Sequence, residues 1–418
     1  MFALKSSTRS AHRLARSFAT VVDSAGYKVA SFDANQPTSS VTFLVKGGSR
    51  FETKPGVAHA LKNFAFKSSA GRSAIGSIRE AELYGGVLSA SLTREHLALT
   101  AEFLRGDEDF FVKLLTEFVQ SPKFAPWEWA EYVTPVVEAD TAAAAADPAT
   151  TALELAHTLA FRNGLGASLF APAHNDITST DIAAFASSAF SDVAVLGTGI
   201  DQTTLSELVK KYSKKAPASS TVSSPASTYF GGETRVAAHG PDTVFIGFGA
   251  TGSSSHNLAA LSAYLSPEPH VKWSEGVSAL ASQIPEGTSV KPVYLPYSDA
   301  ALVGFLIQGN DIKTAGSAVV AALKKAASGV SAEEFTRASA KARFAAASSI
   351  ESREGFVNVL GSKVLATSEP SASAFLKPFD AVTSSSVSQA AASILKSKPT
   401  FIAIGDLATI PYADEIGL

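Results

Sequence analysis

The chain has 418 residues, 46% of them hydrophobic, and a formal charge of −3. That is enough chain for two or three packed domains, and too balanced a charge to draw the whole protein to nucleic acid or an anionic membrane. With no cysteine and a single methionine, at position 1, disulfides, thiolate nucleophiles, Cys-held iron–sulfur clusters and thioether-linked haem are excluded.

Residues 1–18 read as a mitochondrial presequence. Lys5, Arg9, Arg13 and Arg16 are interspersed with serines, and no acid occurs before Asp23. Arg16-Ser17-Phe18 resembles a cleavage site that would leave Ala19 as the mature start. From Tyr27 the pattern turns to strands, Tyr27 to Phe32 and Ser40 to Lys46, the second stopped by Gly47-Gly48. A helix follows from Gly56 to Lys67, then strands from Gly85 to Ser91 and Leu97 to Leu104. Phe111, Leu114, Leu115 and Phe118 recur at i, i+3, i+4 and i+7, behind Asp107 and Asp109, which predicts one apolar helix face. Trp127 to Ala146 is a helical stretch kinked at Pro135 and ended by Asp147-Pro148, and Leu153 to Phe161 is another. Thr178 caps a further helix, Val193 to Gly199 is a strand, and Asp201 to Tyr212 closes the half.

Residues 210–228 are rich in Lys, Ser, Ala and Pro without apolar periodicity, and read as a linker. Beyond it the first half starts again. Val382 to Val387 echoes Ile177 to Ile182 at an offset of 205 residues (383 − 178), and Phe401 to Asp406 echoes Val193 to Thr198. Thr243 to Ala250 with the helix Asn257 to Leu265 repeats Val41 to Phe66. Ala300 to Ile307 with the helix Ile312 to Ala327 repeats Leu97 to Gln120. The order predicts an α+β fold of two homologous domains, 19–209 and 229–418, each a mainly antiparallel sheet with helices on one face.

The chemistry-bearing candidates are few. The eight histidines show no H-x-x-x-H spacing, and no serine sits in a G-x-S-x-G elbow. Gly249-Ala250-Thr251-Gly252-Ser253 lacks the lysine of a phosphate loop and the three-glycine dinucleotide spacing. Arg94-Glu95 and Arg353-Glu354 read as surface or cap charges. On the helix after Gly56, His59, Lys62 and Asn63 share a face. A catalytic zinc takes three protein ligands and a base for its water. This face offers one imidazole, a carboxamide and an ammonium, so His59 reads as a histidine packed on a structural helix.

The presequence, the duplicated domain and the helix of form G-x-x-H-x-x-x-x-x-A-F-K resemble the pitrilysin and mitochondrial processing peptidase family. Active members carry H-x-x-E-H with the glutamate as general base and a carboxylate ligand further on. His59 matches the first position, while Lys62 replaces the base and Asn63 the second histidine. Glu138 or Asp140 falls where the third ligand belongs. The resemblance therefore implies a degenerate zinc motif at His59, Lys62 and Asn63, with no catalytic, cofactor-binding or metal-binding residue and no cofactor. Tyr84 to His96 and Ala160 to Phe170 are similar to the inactive branch that serves as core subunits of ubiquinol–cytochrome c reductase (complex III). That branch implies a clam-like pair of domains and a scaffold on the matrix side of the mitochondrial inner membrane. Its partners would be the other core chain (core protein 1), cytochrome b, cytochrome c1 and the Rieske subunit, with membrane association through partners only. The alternatives are a non-catalytic presequence-binding subunit of the processing peptidase, which uses a long Gly-rich loop not seen here, and a residual zinc peptidase built on His59 and Glu138.

Overall fold

The computed structural model describes residues 21–33, 35–213, 223–252, 256–268, 278, 280–366 and 375–418, the side chains of 353, 354 and 360 excepted. The expected presequence 1–18 lies outside the described residues. So do 214–222, the middle of the expected linker, and Ser253 of the Gly-rich stretch; residues 210–212 are the end of a helix.

A first sheet has six strands: β1 (Val22–Ser24), β2 (Tyr27–Phe32), β3 (Thr38–Val45), β4 (Val87–Leu92), β5 (Leu97–Leu104) and β6 (Val193–Thr198). Their order is β1-β2-β6-β3-β5-β4, antiparallel except for β2 beside β6. The second sheet holds β7 (Gly232–Ala237), β8 (Thr243–Thr251), β9 (Thr288–Pro296), β10 (Ala300–Gly309) and β11 (Thr400–Gly405) in the order β7-β11-β8-β10-β9. Its one parallel pair is β7 beside β11. With β1 set aside, the two sheets match strand for strand, as a duplication requires. The repeated caps match too: Thr178 and Thr383 each form a reciprocal capping box, with Asp181 and Ser386 respectively.

The described helices are α1 (Val57–Asn63), α2 (Ala74–Leu83), α3 (Glu108–Gln120), α4 (Thr134–Ala146), α5 (Pro148–Phe161), α6 (Ser179–Ala189), α7 (Gln202–Tyr212), α8 (His256–Leu265), α9 (Ile312–Ser328), α10 (Ala332–Ser349) and α11 (Ser384–Leu395), besides shorter turns. On one face of the first sheet, Val41, Phe43 and Val45 of β3 meet Leu61 of α1, Phe111, Leu115 and Phe118 of α3, and Phe185 of α6 in one core. The predicted face of α3 is buried at Phe111, Leu114, Leu115 and Phe118. In the second sheet Val244, Ile246, Val303 and Phe305 face α8, α9 and α11 in the same way.

Helices on one face alone would leave alternate strand residues in water. They are not in water: β3, β6, β8 and β11 are buried along nearly their whole length. The second face of each sheet is covered by a segment from the other half of the sequence. Ala152, Ala156, Ala160 and Phe161 of α5 pack on Phe245, Leu302, Leu306, Ile402 and Ile404 of the second sheet. Phe356, Val357, Val364 and Leu365 pack on Ala30, Leu44, Ala98, Ala194 and Leu196 of the first. One compact unit therefore draws on 1–141, 169–224 and 347–376, and the other on 142–168, 225–346 and 377–418. The exchanged segments occupy equivalent places in the repeat: 148–161 and 353–366 are 205 residues apart (353 − 148), the offset of the two capping boxes.

Small residues make both seatings close. Ala152, Ala156 and Ala160, one turn apart, form the stripe by which α5 lies on its sheet. At Gly361 a Cβ would come within 2.5 Å of the Leu44 side chain and 2.7 Å of that of Leu196, so a larger residue there would have to displace both leucine methyls. His157 fastens α5 further: its Nδ1–H donates to the Leu153 carbonyl at 2.6 Å and its Nε2 accepts from the Tyr297 hydroxyl at 2.6 Å. The helix expected from Leu153 begins at Pro148. Asp147 caps it by accepting from the amides of Ala149 and Thr150, and proline suits a first-turn position whose N–H would be unpaired anyway.

Candidate functional site

The site is built on α1. Gly56 enters the helix at φ 86°, and a Cβ there would come within 2.6 Å of Ala171. The Glu52 carboxylate accepts from the amides of Gly56 at 3.0 Å and Ala58 at 3.4 Å, satisfying two donors that a helix start leaves unpaired. Val57, Ala58, Ala60 and Leu61 are buried, which fixes the direction in which His59, Lys62 and Asn63 point.

The facing wall is α4. The helical run from Pro126 passes through a π-turn, Trp129–Val133, before α4 begins. Pro135 has no amide to continue an ordinary α-ladder. One turn wider than usual precedes it, with the Thr134 amide and its Oγ1 (2.9 Å) both donating to the Trp129 carbonyl. The expected kink is thus a widened turn. Val133, Val137 and Asp140 then share the inward side, with both valines buried, while Glu138 is exposed.

Asp140 is where the three α1 side chains meet. Its Oδ2 lies 3.1 Å from His59 Nε2, 3.0 Å from Lys62 Nζ and 3.2 Å from Asn63 Nδ2. A third segment orients the histidine: the Ala171 amide donates to His59 Nδ1 at 3.2 Å, and the Phe170 ring stands edge-on to the imidazole at 5.6 Å. Since Nδ1 accepts, Nε2 carries the proton and donates to Asp140. Burial holds the His59 pKa below its ordinary value, Lys62 works in the same direction, and Asp140 opposes them. For Asp140, burial works against the charge, yet hydrogen bonds from Lys62, His59 and Asn63 outweigh it and hold the carboxyl below its ordinary range.

A zinc does not fit this donor set. His59 and Asp140 are the two metal-type ligands where a catalytic zinc takes three, the imidazole presents N–H rather than a lone pair, and an ammonium stands beside them. Among the described residues no three His, Cys, Asp or Glu side chains converge on one point. The Glu138 alternative places its carboxylate on the exposed side of the helix.

Arg94 and Glu95 correct the sequence reading of surface charges. Both are buried, and Glu95 pairs with Arg50 at 2.8 Å. Gly48 lets the segment after β3 pack against the turn between β4 and β5, since a Cβ would lie 2.3 Å from the Arg94 backbone. Arg94 also bears on Glu52: burial pushes that carboxyl up from 4.5 to about 7, against the α1 amides and the Arg94 charge. A carboxyl raised on folding binds its proton more tightly in the native state, so its stabilisation is complete below 4.5 and is lost as pH rises to about 7. Glu52→Gln keeps an acceptor for both amides and removes the charge. It should raise stability at pH 8 by on the order of 2 kcal/mol, and flatten the decline between those limits, in urea unfolding followed across pH. An unchanged pH profile would count against this role.

The sequence profile of Insulinase (Peptidase family M16) matches residues 28–173, which include α1 and α4. A protein of Cryptococcus neoformans named cytochrome b-c1 complex subunit 2, mitochondrial, is 44% identical over 98% of this chain and 97% of its own length. The chain belongs to the mitochondrial cytochrome b-c1 complex subunit 2 family. The subunit 2 proteins of Yarrowia lipolytica (35% identical, 98% of this chain, 100% of that one) and Homo sapiens (29%, 94% and 90%) match it similarly. A protease from Helicobacter pylori has the same fold at a TM-score of 0.80, with 19% identity, over 93% of this chain and 98% of that one. In this subunit 2 family member a peptidase-like fold thus carries Lys62 and Asn63 across from Asp140.

Proposed function

We propose that this chain is the core subunit 2 of the mitochondrial cytochrome b-c1 complex, a non-catalytic scaffold on the matrix side of the inner membrane. Its similarity over nearly the full length to subunit 2 proteins carries the reading. The chemistry of the site supports it. Where hydrolysis needs a carboxylate base to activate a metal-held water, Lys62 is committed to Asp140 at 3.0 Å. Such a subunit contributes surface rather than chemistry: it pairs with core protein 1 and supports cytochrome b, cytochrome c1 and the Rieske subunit. Obligate interfaces of this kind bury more than about 2,000 Å². No helix among the described residues is long and apolar enough to cross a membrane, in keeping with attachment through partners. The presequence 1–18, the linker 210–228 and the sequence halves 19–209 and 229–418 belong to the same proposal.

The test is to tag the C-terminus, solubilise mitochondria in mild detergent and record the reduced-minus-oxidised spectrum of what co-purifies. Haem b and haem c bands at a fixed ratio to this chain are expected. A colourless heterodimer that cleaves presequences would overturn the reading in favour of the processing peptidase.

A further inference from the structure

The three α1 side chains at the site all present hydrogen-bond donors to one oxygen. A metal centre has the opposite polarity, with lone pairs converging on a cation. Here an anion, Asp140 Oδ2, stands at the point of convergence, with N–H groups around it at 3.0–3.2 Å. We propose that the His59–Lys62–Asn63 face is a carboxylate-binding site, filled in this chain by its own Asp140, and that this self-occupation closes the centre to divalent cations.

Three observations carry the assignment. The donors all belong to one helix: α1 is anchored by its buried residues, and His59 is turned by the Ala171 amide, which leaves Nε2–H facing the site. The donor set suits a carboxylate, combining one cation with two neutral N–H donors, and charge-assisted contacts of this kind are the strong ones. The site also opens to water, since the side chains of Lys62 and Asp140 are 28% and 34% exposed, so a small anion can reach it once Asp140 is gone. The proposal does not depend on the assembly reading; a chain found outside the b-c1 complex would keep this site.

Formate matches the aspartate head group in charge and shape, and is the probe. In the full chain, Asp140→Ala should lower the melting temperature. Sodium formate should restore most of that loss, sodium chloride at equal ionic strength much less, and the wild type should respond to the two salts alike. Adding Lys62→Met should abolish the difference between the salts. Equal rescue by formate and chloride, or rescue that survives Lys62→Met, would overturn the assignment. Where Asp140→Ala does not stay folded, Asn63→His tests the same point in a chain that keeps Asp140. That variant holds three metal-type side chains yet retains the ammonium–carboxylate contact, and is expected to bind no stoichiometric zinc by calorimetry. One zinc per chain would refute self-occupation as the reason cations are excluded.

Discussion

Phe118→Asp is expected to abolish the folded state. Phe118 is 3% exposed, on the face of α3 that packs on the first sheet, with Phe66 at 6.0 Å and Phe190 at 6.2 Å between ring centroids. Deleting a buried phenylalanine costs about 3–5 kcal/mol, and a carboxylate placed there without a partner adds several more. A domain has roughly 5–15 kcal/mol in total. The variant should lose its cooperative melting transition and fail to enter any assembly, whereas Phe118→Leu should retain both. A sharp transition near the wild-type temperature for the aspartate variant would contradict the α3 face assignment.

Expressing the two sequence halves apart should likewise give two unfolded or aggregating chains. The first half alone leaves Leu44 and Leu196 of its sheet without the 353–366 segment, and leaves the apolar stripe of α5 without a sheet. Two buried leucines are worth roughly 3–6 kcal/mol, and the uncovered alanines add to that. The loss rivals the whole stability of a domain. The second half suffers the same in mirror fashion, since Phe245, Leu302 and Ile402 lose α5. Residues 21–213 and 223–418 co-expressed should restore a soluble complex with a single cooperative transition. A half that melts cooperatively by itself would show that the exchanged segment is dispensable.

The difference between this donor set and a hydrolytic zinc centre is local and needs few residues. Lys62 brings a cation to the place where a cation would be bound, and Asn63 has no imidazole to offer. His59 and Asp140 pair with each other, and Asp140 with Lys62 as well. The centre links α1, α4 and the segment at Ala171 by hydrogen bonds, which is a structural task.

The sequence by itself determined the duplication, the strand–helix order and the shared face of His59, Lys62 and Asn63. These depend on local periodicity and on equal spacing between repeats, which survive without knowledge of partners. The choice between Glu138 and Asp140 did not, because the π-turn ahead of Pro135 adds a residue and resets the phase of α4. Asp147-Pro148 follows the end of α4 at Ala146, as expected, and also starts α5, five residues before the expected Leu153. Arg94-Glu95 looked exposed because its partner Arg50 lies 45 residues away. The exchange of 148–161 and 353–366 was decided by tertiary structure alone. An apolar stripe declares that a helix will be buried, but not against which of two sheets with matching strand order. That choice rests on close packing at residues such as Gly361 and Ala156, which only the assembled fold brings face to face.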